Sequence, residues 1–250
     1  MTLPRAFLER PITHRGLHDP SKGIIENSRD AFQAAIDAGF GIECDLQLSR
    51  DDQPMVFHDY GLGRLTDETG PIRRRNTKDL QNTPLKGGAN TIDTLRDILK
   101  LVDGQVPLLI ELKDQDGAMG PQIGLLEDRT AEALSTYNGD VAVMSFNPYS
   151  TTRLKQLMPE RACGITTSAF APGDWPLSKS RCAELRDIPD YEASGACFIS
   201  HEASDLDRPR IAELKAKGAA VLCWTIKSQA QADAALKIAD NITFEGFHPA

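Results

Sequence analysis

The sequence lacks long hydrophobic runs and has no excess of positive charge. No apolar stretch approaches the roughly 20 residues that a membrane-spanning helix needs, and residues 1–16 lack the apolar core of a secretory signal peptide. Acidic residues outnumber basic residues by 36 to 28, which gives a net charge of -8 at pH 7. Nucleic acids and anionic lipid surfaces select for basic proteins, so both are excluded as general partners. We therefore expect a soluble protein without stable membrane insertion.

Cysteine is scarce, and its five positions do not suggest a disulfide framework. The number is odd and the residues are widely spaced along the chain: Cys44, Cys163, Cys182, Cys197 and Cys223. Disulfide-stapled proteins are typically short, secreted and rich in paired cysteines. We therefore expect reduced cysteines and a cytoplasmic location. The 250 residues, of which 40% are hydrophobic, suffice for one large domain over residues 1–250.

Short, β-branched and apolar segments alternate with segments of helical periodicity along the chain. Eight segments are predicted strands: Pro11–His14, Gly41–Leu48, Val106–Lys113, Val141–Phe146, Cys163–Thr167, Cys197–His201, Ala219–Ile226 and Ile242–Phe247. Strands that read as continuous apolar runs are typical of a parallel sheet covered by helices. Eight such units indicate an α/β fold of the (β/α)8 TIM-barrel type. A doubly wound open sheet is the alternative, but it usually has fewer strands, and no GxGxxG turn follows the first strand.

Two irregularities modify the predicted barrel. Residues 49–90 are too many for a loop between a strand and a helix, and they are rich in Gly, Pro, Asp and Arg. We expect an inserted subdomain here that covers one mouth of the barrel, with a short extra strand at Pro54–His58. Only residues 248–250 follow the last predicted strand, so we expect the eighth helix to be short, missing or replaced by the N-terminal segment.

Carboxylates interrupt two of the predicted strands. Glu43 and Asp45 are two residues apart, as are Glu111 and Lys113, so each pair points to one side of its strand. A buried charge is costly unless it is paired or bound to a metal ion. One interpretation is an ion pair with a nearby lysine or arginine. The other is a site for one divalent cation, Mg²⁺ or Ca²⁺, held by Glu43, Asp45 and Glu111, because both ions prefer oxygen ligands.

Further polar residues fall at predicted strand ends, where barrels of this class build their active sites. His14 and His58 are candidates for proton transfer, although a single histidine is more often an ordinary hydrogen-bonded residue. Arg15 and Lys113 are suited to bind a phosphate, the first as a fork of donors and the second as a point charge. Trp224 fits either the core or a stacking position against a ligand.

Four motifs, by their order and spacing, resemble the glycerophosphodiester phosphodiesterase family. They are ITHRG at 12–16, ENS at 26–28, ECDLQLSRDDQPMVFHD at 43–59 and LLIELK at 108–113. This family consists of (β/α)8 barrels related to the bacterial phosphatidylinositol-specific phospholipases C. The resemblance therefore implies the same barrel, and residues 49–90 are similar to the insertion that characterises the family.

The resemblance also implies roles for individual residues. The matching positions are Glu43, Asp45 and Glu111 for the metal ion, Arg15 and Lys113 for the phosphate, and His14 and His58 for the general acid and base. Glu26 matches an acidic residue that orients this set. The closing FEGFHP at 244–249 departs from the usual TD-x-P, so an acid on the last strand would have to be Glu245. The sequence assigns no role to His201.

The expected function is metal-dependent hydrolysis of small glycerophosphodiesters to sn-glycerol 3-phosphate and an alcohol. Two alternatives stay open, a lysophospholipase D-type hydrolase and a barrel that binds phosphorylated ligands without catalysis. The first would need an apolar cleft or a membrane-facing patch, and no basic amphipathic helix is evident. The second would be expected to lose some of the acid, base or ligand residues, and none is missing from the first half of the chain. The sequence does not determine the alcohol, the ion used in the cell or whether the barrel forms a homo-oligomer.

Overall fold

Eight parallel strands close into a barrel in the computed structural model, which describes residues 2–171 and 173–250. In chain order the strands are β1 (Ile12–Thr13), β2 (Gly41–Leu48), β3 (Pro54–Val56), β4 (Leu108–Leu112), β5 (Val141–Ser145), β6 (Ala162–Thr167), β7 (Phe198–Glu202), β8 (Ala220–Ile226) and β9 (Asn241–Phe244). Strand β1 pairs with both β2 and β9, which closes the barrel, and β3 joins β2 as an additional antiparallel neighbour. The predicted barrel is therefore confirmed, and the open sheet is wrong.

Helices cover the outside of the barrel. Within the described residues they are α1 (Ala6–Glu9), α2 (Arg29–Ala38), α3 (Thr77–Leu80), α4 (Leu95–Val102), α5 (Leu126–Leu134), α6 (Pro148–Leu157), α7 (Lys179–Arg186), α8 (Tyr191–Ser194), α9 (Pro209–Ala216) and α10 (Gln229–Ala235). Helix α2 begins where the Ser28 hydroxyl accepts a hydrogen bond from the Ala31 amide. In the part of the chain that the structure describes, no helix is both long and apolar enough to cross a membrane. All five cysteines are buried and unpaired, as expected.

Alternation along the strands separates an outer apolar layer from the barrel interior. In β2, Cys44 and Leu46 pack outward against the helices, so Glu43 and Asp45 face inward. Strand β4 lies in parallel register with β2, and this register pairs Glu111 with Asp45. The pleat of two neighbouring strands thereby brings the predicted carboxylates to one place.

The N-terminal segment fills the end of the barrel opposite to these carboxylates. Phe7 in α1 is fully buried and packs with Ile12 and Leu109, which face the interior. The Asn241 side-chain amide donates hydrogen bonds of 2.7 and 2.6 Å to two carbonyl groups of this segment. No helix follows β9 within residues 245–250, as predicted. Helix α1 therefore closes the end of the barrel.

Residues 49–90, here called the insertion, lie beside the carboxyl ends of the barrel strands. They contain β3, α3 and two short 3-10 helices, Leu62–Arg64 and Ile72–Arg74. Apolar side chains of the insertion and its neighbours form a small separate cluster: Ile25, Met55, Phe57, Leu62, Ile72, Leu80, Leu85 and Ile92. This cluster gives the insertion a packed base of its own.

Two strands end more than one residue earlier than predicted. Strand β3 ends at Val56 rather than His58, because the chain turns away after the Phe57 amide donates to the Asp45 carbonyl at 3.0 Å. Strand β9 ends at Phe244, and not three residues later, because Gly246 adopts a left-handed φ of 76° that a strand does not contain. The second difference places Glu245 in a turn at the strand end.

Truncation of Phe7 tests whether α1 belongs to the core of the barrel. Phe7→Ala should lower the free energy of unfolding by about 3 to 5 kcal/mol, as other buried aromatic truncations do, measured by urea denaturation. The neighbouring Leu8, which is 39% exposed, provides the control variant Leu8→Ala, expected to change stability by less than about 1 kcal/mol. Equal effects of the two substitutions would show that α1 does not plug the barrel.

Candidate active site

Three buried carboxylates meet at the carboxyl ends of β2 and β4. Glu43, Asp45 and Glu111 each offer an oxygen atom, and these three atoms lie within 4.8 Å of one another. The residues are only 2%, 1% and 6% exposed. Barrel enzymes build their sites at this end of the strands. The structure thus brings together the three residues predicted to hold a metal ion, here called the carboxylate triad.

Two cations contact the carboxylate triad, in partial agreement with the ion-pair interpretation. Lys113 Nζ lies 2.7 Å from Asp45 Oδ1 and 2.5 Å from Glu111 Oε1. Arg15 Nε lies 3.3 Å from Asp45 Oδ2. Glu43 accepts a hydrogen bond of 2.9 Å from the Arg15 backbone amide. Within the described residues, no side-chain cation forms an ion pair with Glu43.

These cations do not neutralise the carboxylate triad. Burial, reinforced by the charges of Asp45 and Glu111, raises the pKa of Glu43 well above its usual range. Burial also raises the pKa of Glu111. Burial acts upward on Asp45 too, but the nearby charges, led by Lys113, outweigh it and lower the pKa of that carboxyl. A divalent cation would supply the missing positive charge, and carboxylate oxygens are the ligands it prefers, so these residues fit such an ion.

Each candidate histidine has a carboxylate partner of its own. His14 Nδ1 lies 2.7 Å from Glu245 Oε2, and His58 Nδ1 lies 2.7 Å from Asp59 Oδ1. An ionised carboxylate only accepts hydrogen bonds, so Nδ1 carries the proton in the neutral rings and Nε2 is left as the acceptor. Burial lowers the pKa of both imidazoles, that of His58 to about 4. Each ring therefore has Nε2 rather than Nδ1 available for proton transfer.

Arg64 of the insertion connects Arg15 to His58 through two carboxylates. Its guanidinium donates two hydrogen bonds of 2.8 Å to Glu26 and two of 2.7 and 2.9 Å to Asp59. Glu26 also accepts a hydrogen bond of 2.7 Å from Arg15. The resulting network runs from Arg15 through Glu26, Arg64 and Asp59 to His58. The sequence analysis did not identify Arg64. It included Asp59 only as the last residue of the motif at 43–59.

Two residues of the site have an unusual backbone conformation. Arg15 and Asn27 have left-handed φ angles of 57° and 54°, which cost a non-glycine residue about 1 to 3 kcal/mol. The conformation of Arg15 accompanies the contact of its amide with Glu43. The Asn27 side chain donates to Asp45 Oδ2 at 2.8 Å and accepts from the Asp45 amide at 3.2 Å. These contacts hold the strained segment against the carboxylate triad.

Trp224 faces the site, whereas His201 does not. The Trp224 ring stands edge-on to Phe146 with the ring centroids 5.6 Å apart, and it lines the cavity beside the carboxylate triad. Alternation along β7 turns the buried His201 side chain to the outer side of the barrel. There its Nδ1 bonds the Thr167 hydroxyl at 2.8 Å and its Nε2 lies 3.3 Å from Asp205. His201 therefore stabilises the fold outside the site.

Two adjacent cavities of unequal size open on the carboxylate triad. The smaller, here the confined cavity, has a volume of about 50 Å³ and is lined by His14, Arg15 and Trp224 among others. The larger, here the wide cleft, has a volume of about 350 Å³ and includes His58. The residues that line both are Glu111, Lys113 and Phe146. The two histidines thus line different cavities beside the carboxylate triad.

Removal of one triad carboxylate should weaken binding of a divalent cation. Glu43→Gln and Glu111→Gln should each lower the affinity for Mn²⁺ by at least about tenfold, because each removes a charged oxygen ligand; the free ion can be followed by electron paramagnetic resonance. Glu127→Gln changes an equally buried carboxylate on α5, outside the site, and is the control. Wild-type affinity in both triad variants would rule out the metal site.

Known proteins of one family are similar in sequence to this chain. The sequence model of the glycerophosphoryl diester phosphodiesterase family matches residues 14–241. A glycerophosphodiester phosphodiesterase of Caldanaerobacter subterraneus subsp. tengcongensis is 29% identical over 177 residues, which are 67% of this chain and 70% of that protein. The YhdW protein of Bacillus subtilis is 27% identical over 229 residues, which are 87% of this chain and 86% of that protein.

A solved structure shares the fold over nearly the whole length. It is a phosphodiesterase of Oleispira antarctica in complex with its product sn-glycerol-3-phosphate, with a TM-score of 0.78 and 25% identity. The similarity covers 96% of this chain and 94% of that protein. The family model spans most of the chain and the barrel agrees with it, so the chain belongs to the glycerophosphoryl diester phosphodiesterase family.

Proposed function

We propose that this chain hydrolyses glycerophosphodiesters to sn-glycerol 3-phosphate and an alcohol, with one divalent cation at the carboxylate triad. The observation that carries the proposal is the placement of Arg15 and two carboxylate-backed histidines around the triad. Membership in the family supports the reaction class. The Oleispira antarctica phosphodiesterase binds sn-glycerol-3-phosphate as its product, and this is the product that we expect here.

The ion would be held by Glu43, Asp45 and Glu111. We propose Mg²⁺ or Ca²⁺, because the candidate ligand atoms are all carboxylate oxygens. Such an ion, when bound, lowers the pKa of a coordinated hydroxyl and stabilises negative charge on a phosphoryl oxygen. Arg15 would add a fork of donors for the phosphate oxygens, and Lys113 would add a point charge. Glu26 would keep Arg15 in its orientation.

The unequal cavities suggest separate tasks for the two histidines. The glycerol part, which is constant among these substrates, fits the confined cavity beside His14, and the variable alcohol fits the wide cleft beside His58. His14 would then accept the proton of the attacking glycerol hydroxyl at Nε2. Protonated His58, supported by Asp59 and by the phosphodiester anion, would donate a proton to the leaving oxygen. When water opens the resulting cyclic phosphate, the two residues exchange roles, and both return to their starting states.

The two alternative functions find less support in this geometry. In a lysolipid the acyl chain is attached to the glycerol, which we place in the confined cavity of about 50 Å³. That volume disfavours a lysophospholipase D-type substrate. A catalytically silent barrel would not need two histidines with their own carboxylates beside a buried triad. Hydrolysis of a small diester therefore accounts for more of the site.

The unpaired state of the cysteines indicates the cellular compartment of the enzyme. All five cysteines are buried and unpaired. Oxidising compartments favour paired cysteines, whereas the cytoplasm keeps thiols reduced. We therefore propose a cytoplasmic location.

Release of sn-glycerol 3-phosphate from glycerophosphocholine, measured with a coupled enzyme assay, tests the proposal. We expect turnover with Mg²⁺ or Ca²⁺, its loss in EDTA and its return with excess cation. His14→Ala and His58→Ala should each lower kcat by about 10² to 10⁴, the range for a lost general acid or base. The exposed His248 lies outside the site, and His248→Ala is the control. Full turnover in EDTA, or wild-type kcat in both site variants, would contradict the mechanism.

Arg64 should act as a positioning residue for this reaction. Arg64→Gln removes four hydrogen bonds to Glu26 and Asp59, and should lower kcat by about 10- to 100-fold, as losses of such supporting contacts do. Lysine cannot bridge both carboxylates as a fork, so Arg64→Lys should recover only part of the activity. Arg75→Gln removes another insertion arginine, which pairs with Glu68, and serves as the control. If Arg64→Gln and Arg75→Gln gave the same kcat, the positioning role would be refuted.

A further inference from the structure

Three large aromatic side chains line the wide cleft. Tyr60 comes from the start of the insertion, Phe146 follows β5 and Trp175 follows β6. The rings of Phe146 and Trp175 are in contact, with centroids 4.8 Å apart, and Phe170 packs 4.9 Å from Trp175. The Tyr60 hydroxyl donates to the Asp114 carbonyl at 2.9 Å. Three loops thus present anchored aromatic side chains to one space.

Three carboxylates line the wide cleft, and one of them forms no ion pair within the described residues. Asp59 pairs with Arg64 and Glu111 with Lys113, which leaves Asp114. Within the described residues Lys113 is the only lysine or arginine that lines it, and its ammonium is already bonded to Glu111 and Asp45. The cleft therefore offers no free cation to an anionic alcohol. Carboxylates near aromatic faces instead favour a positively charged group.

The position of the substrate's phosphate determines where its head group would lie in the wide cleft. A phosphodiester held by Arg15 and the carboxylate triad has its leaving oxygen next to His58, at the inner end of the wide cleft. A head group attached through a short alkyl chain would then lie between Tyr60, Phe146 and Trp175. Its charge would face the quadrupoles of the rings, and its apolar groups would contact their faces.

We propose that the wide cleft is the subsite for the leaving alcohol and selects a quaternary ammonium head group, as in choline. A quaternary ammonium combines a cationic charge with a methylated surface, and aromatic faces bind both. A primary ammonium would lose the methyl contacts, and a neutral polyol would lose the charge. Trp175 contributes most to the selection, because indole binds cations more strongly than phenol or benzene rings do. This inference rests on the proposed function and specifies its substrate.

The test compares glycerophosphocholine with its neutral isostere, the 3,3-dimethylbutyl diester of glycerol phosphate. The two head groups have the same shape and differ in charge. Release of sn-glycerol 3-phosphate gives kcat/KM for both diesters and for glycerophosphoglycerol, which has a small neutral alcohol. The wild type should prefer the choline diester to the isostere by about tenfold, the size of a desolvated cation–π contact. Trp175→Leu and Tyr60→Leu should each reduce this ratio severalfold.

Tyr149→Leu provides a matched control, because Tyr149 is an exposed aromatic residue on α6 that does not line the cleft. Its substrate ratio should equal that of the wild type. Equal kcat/KM for the choline diester and its isostere in the wild type would overturn the inference while leaving the proposed function intact. An unchanged ratio in both cleft variants would overturn it as well. Absence of turnover with all three diesters would instead overturn the proposed function, and the inference with it.

Discussion

The burial of three carboxylates within 4.8 Å of one another is the constraint on which the rest of the site depends. Lys113 and Arg15 contact the group, but among the residues that the structure describes Glu43 has no cationic side-chain partner. An arrangement of this kind opposes folding unless further positive charge arrives. A divalent cation would provide that charge, and a phosphate ligand would then have both the ion and Arg15 to bind. The need to neutralise buried charge thus links the fold of the barrel to its chemistry.

Contacts around the carboxylate triad orient the two histidines of the site. Glu245 holds His14 and Asp59 holds His58, so each imidazole is oriented through its Nδ1 by a carboxylate. Arg64 extends this order into the insertion, which was expected only to cover the barrel mouth. The insertion therefore contributes to the position of His58 as well as to the wall of the wide cleft.

The sequence was most informative where structure follows from local periodicity. The spacing of Glu43 and Asp45 was enough to place both on one side of β2, because alternation in a strand is a local property. Arg64 could not be identified in this way, because nothing in its neighbourhood distinguishes it from the other insertion arginines. Its partner Glu26 is 38 residues away, and Glu245 is 231 residues from His14.

The sequence also did not predict where loop residues lie in the fold. Trp175 belongs to a connection without periodicity, so its place in the wide cleft follows only from how loops of different strands converge. The end of β9 depended on the left-handed turn at Gly246, which the apolar pattern of the strand did not indicate. Closure of the barrel end by α1 likewise required tertiary contacts, such as those of Asn241.

A crystal structure with Mn²⁺ and sn-glycerol 3-phosphate, analysed for the anomalous signal of manganese, tests the central claim most directly. The account predicts one anomalous peak within about 2.6 Å of carboxylate oxygens of Glu43, Asp45 and Glu111, with phosphate oxygens on the ion and on Arg15. A carboxylate triad without a peak, with Lys113 still bonded to Asp45 and Glu111 and the phosphate bound elsewhere, would contradict it.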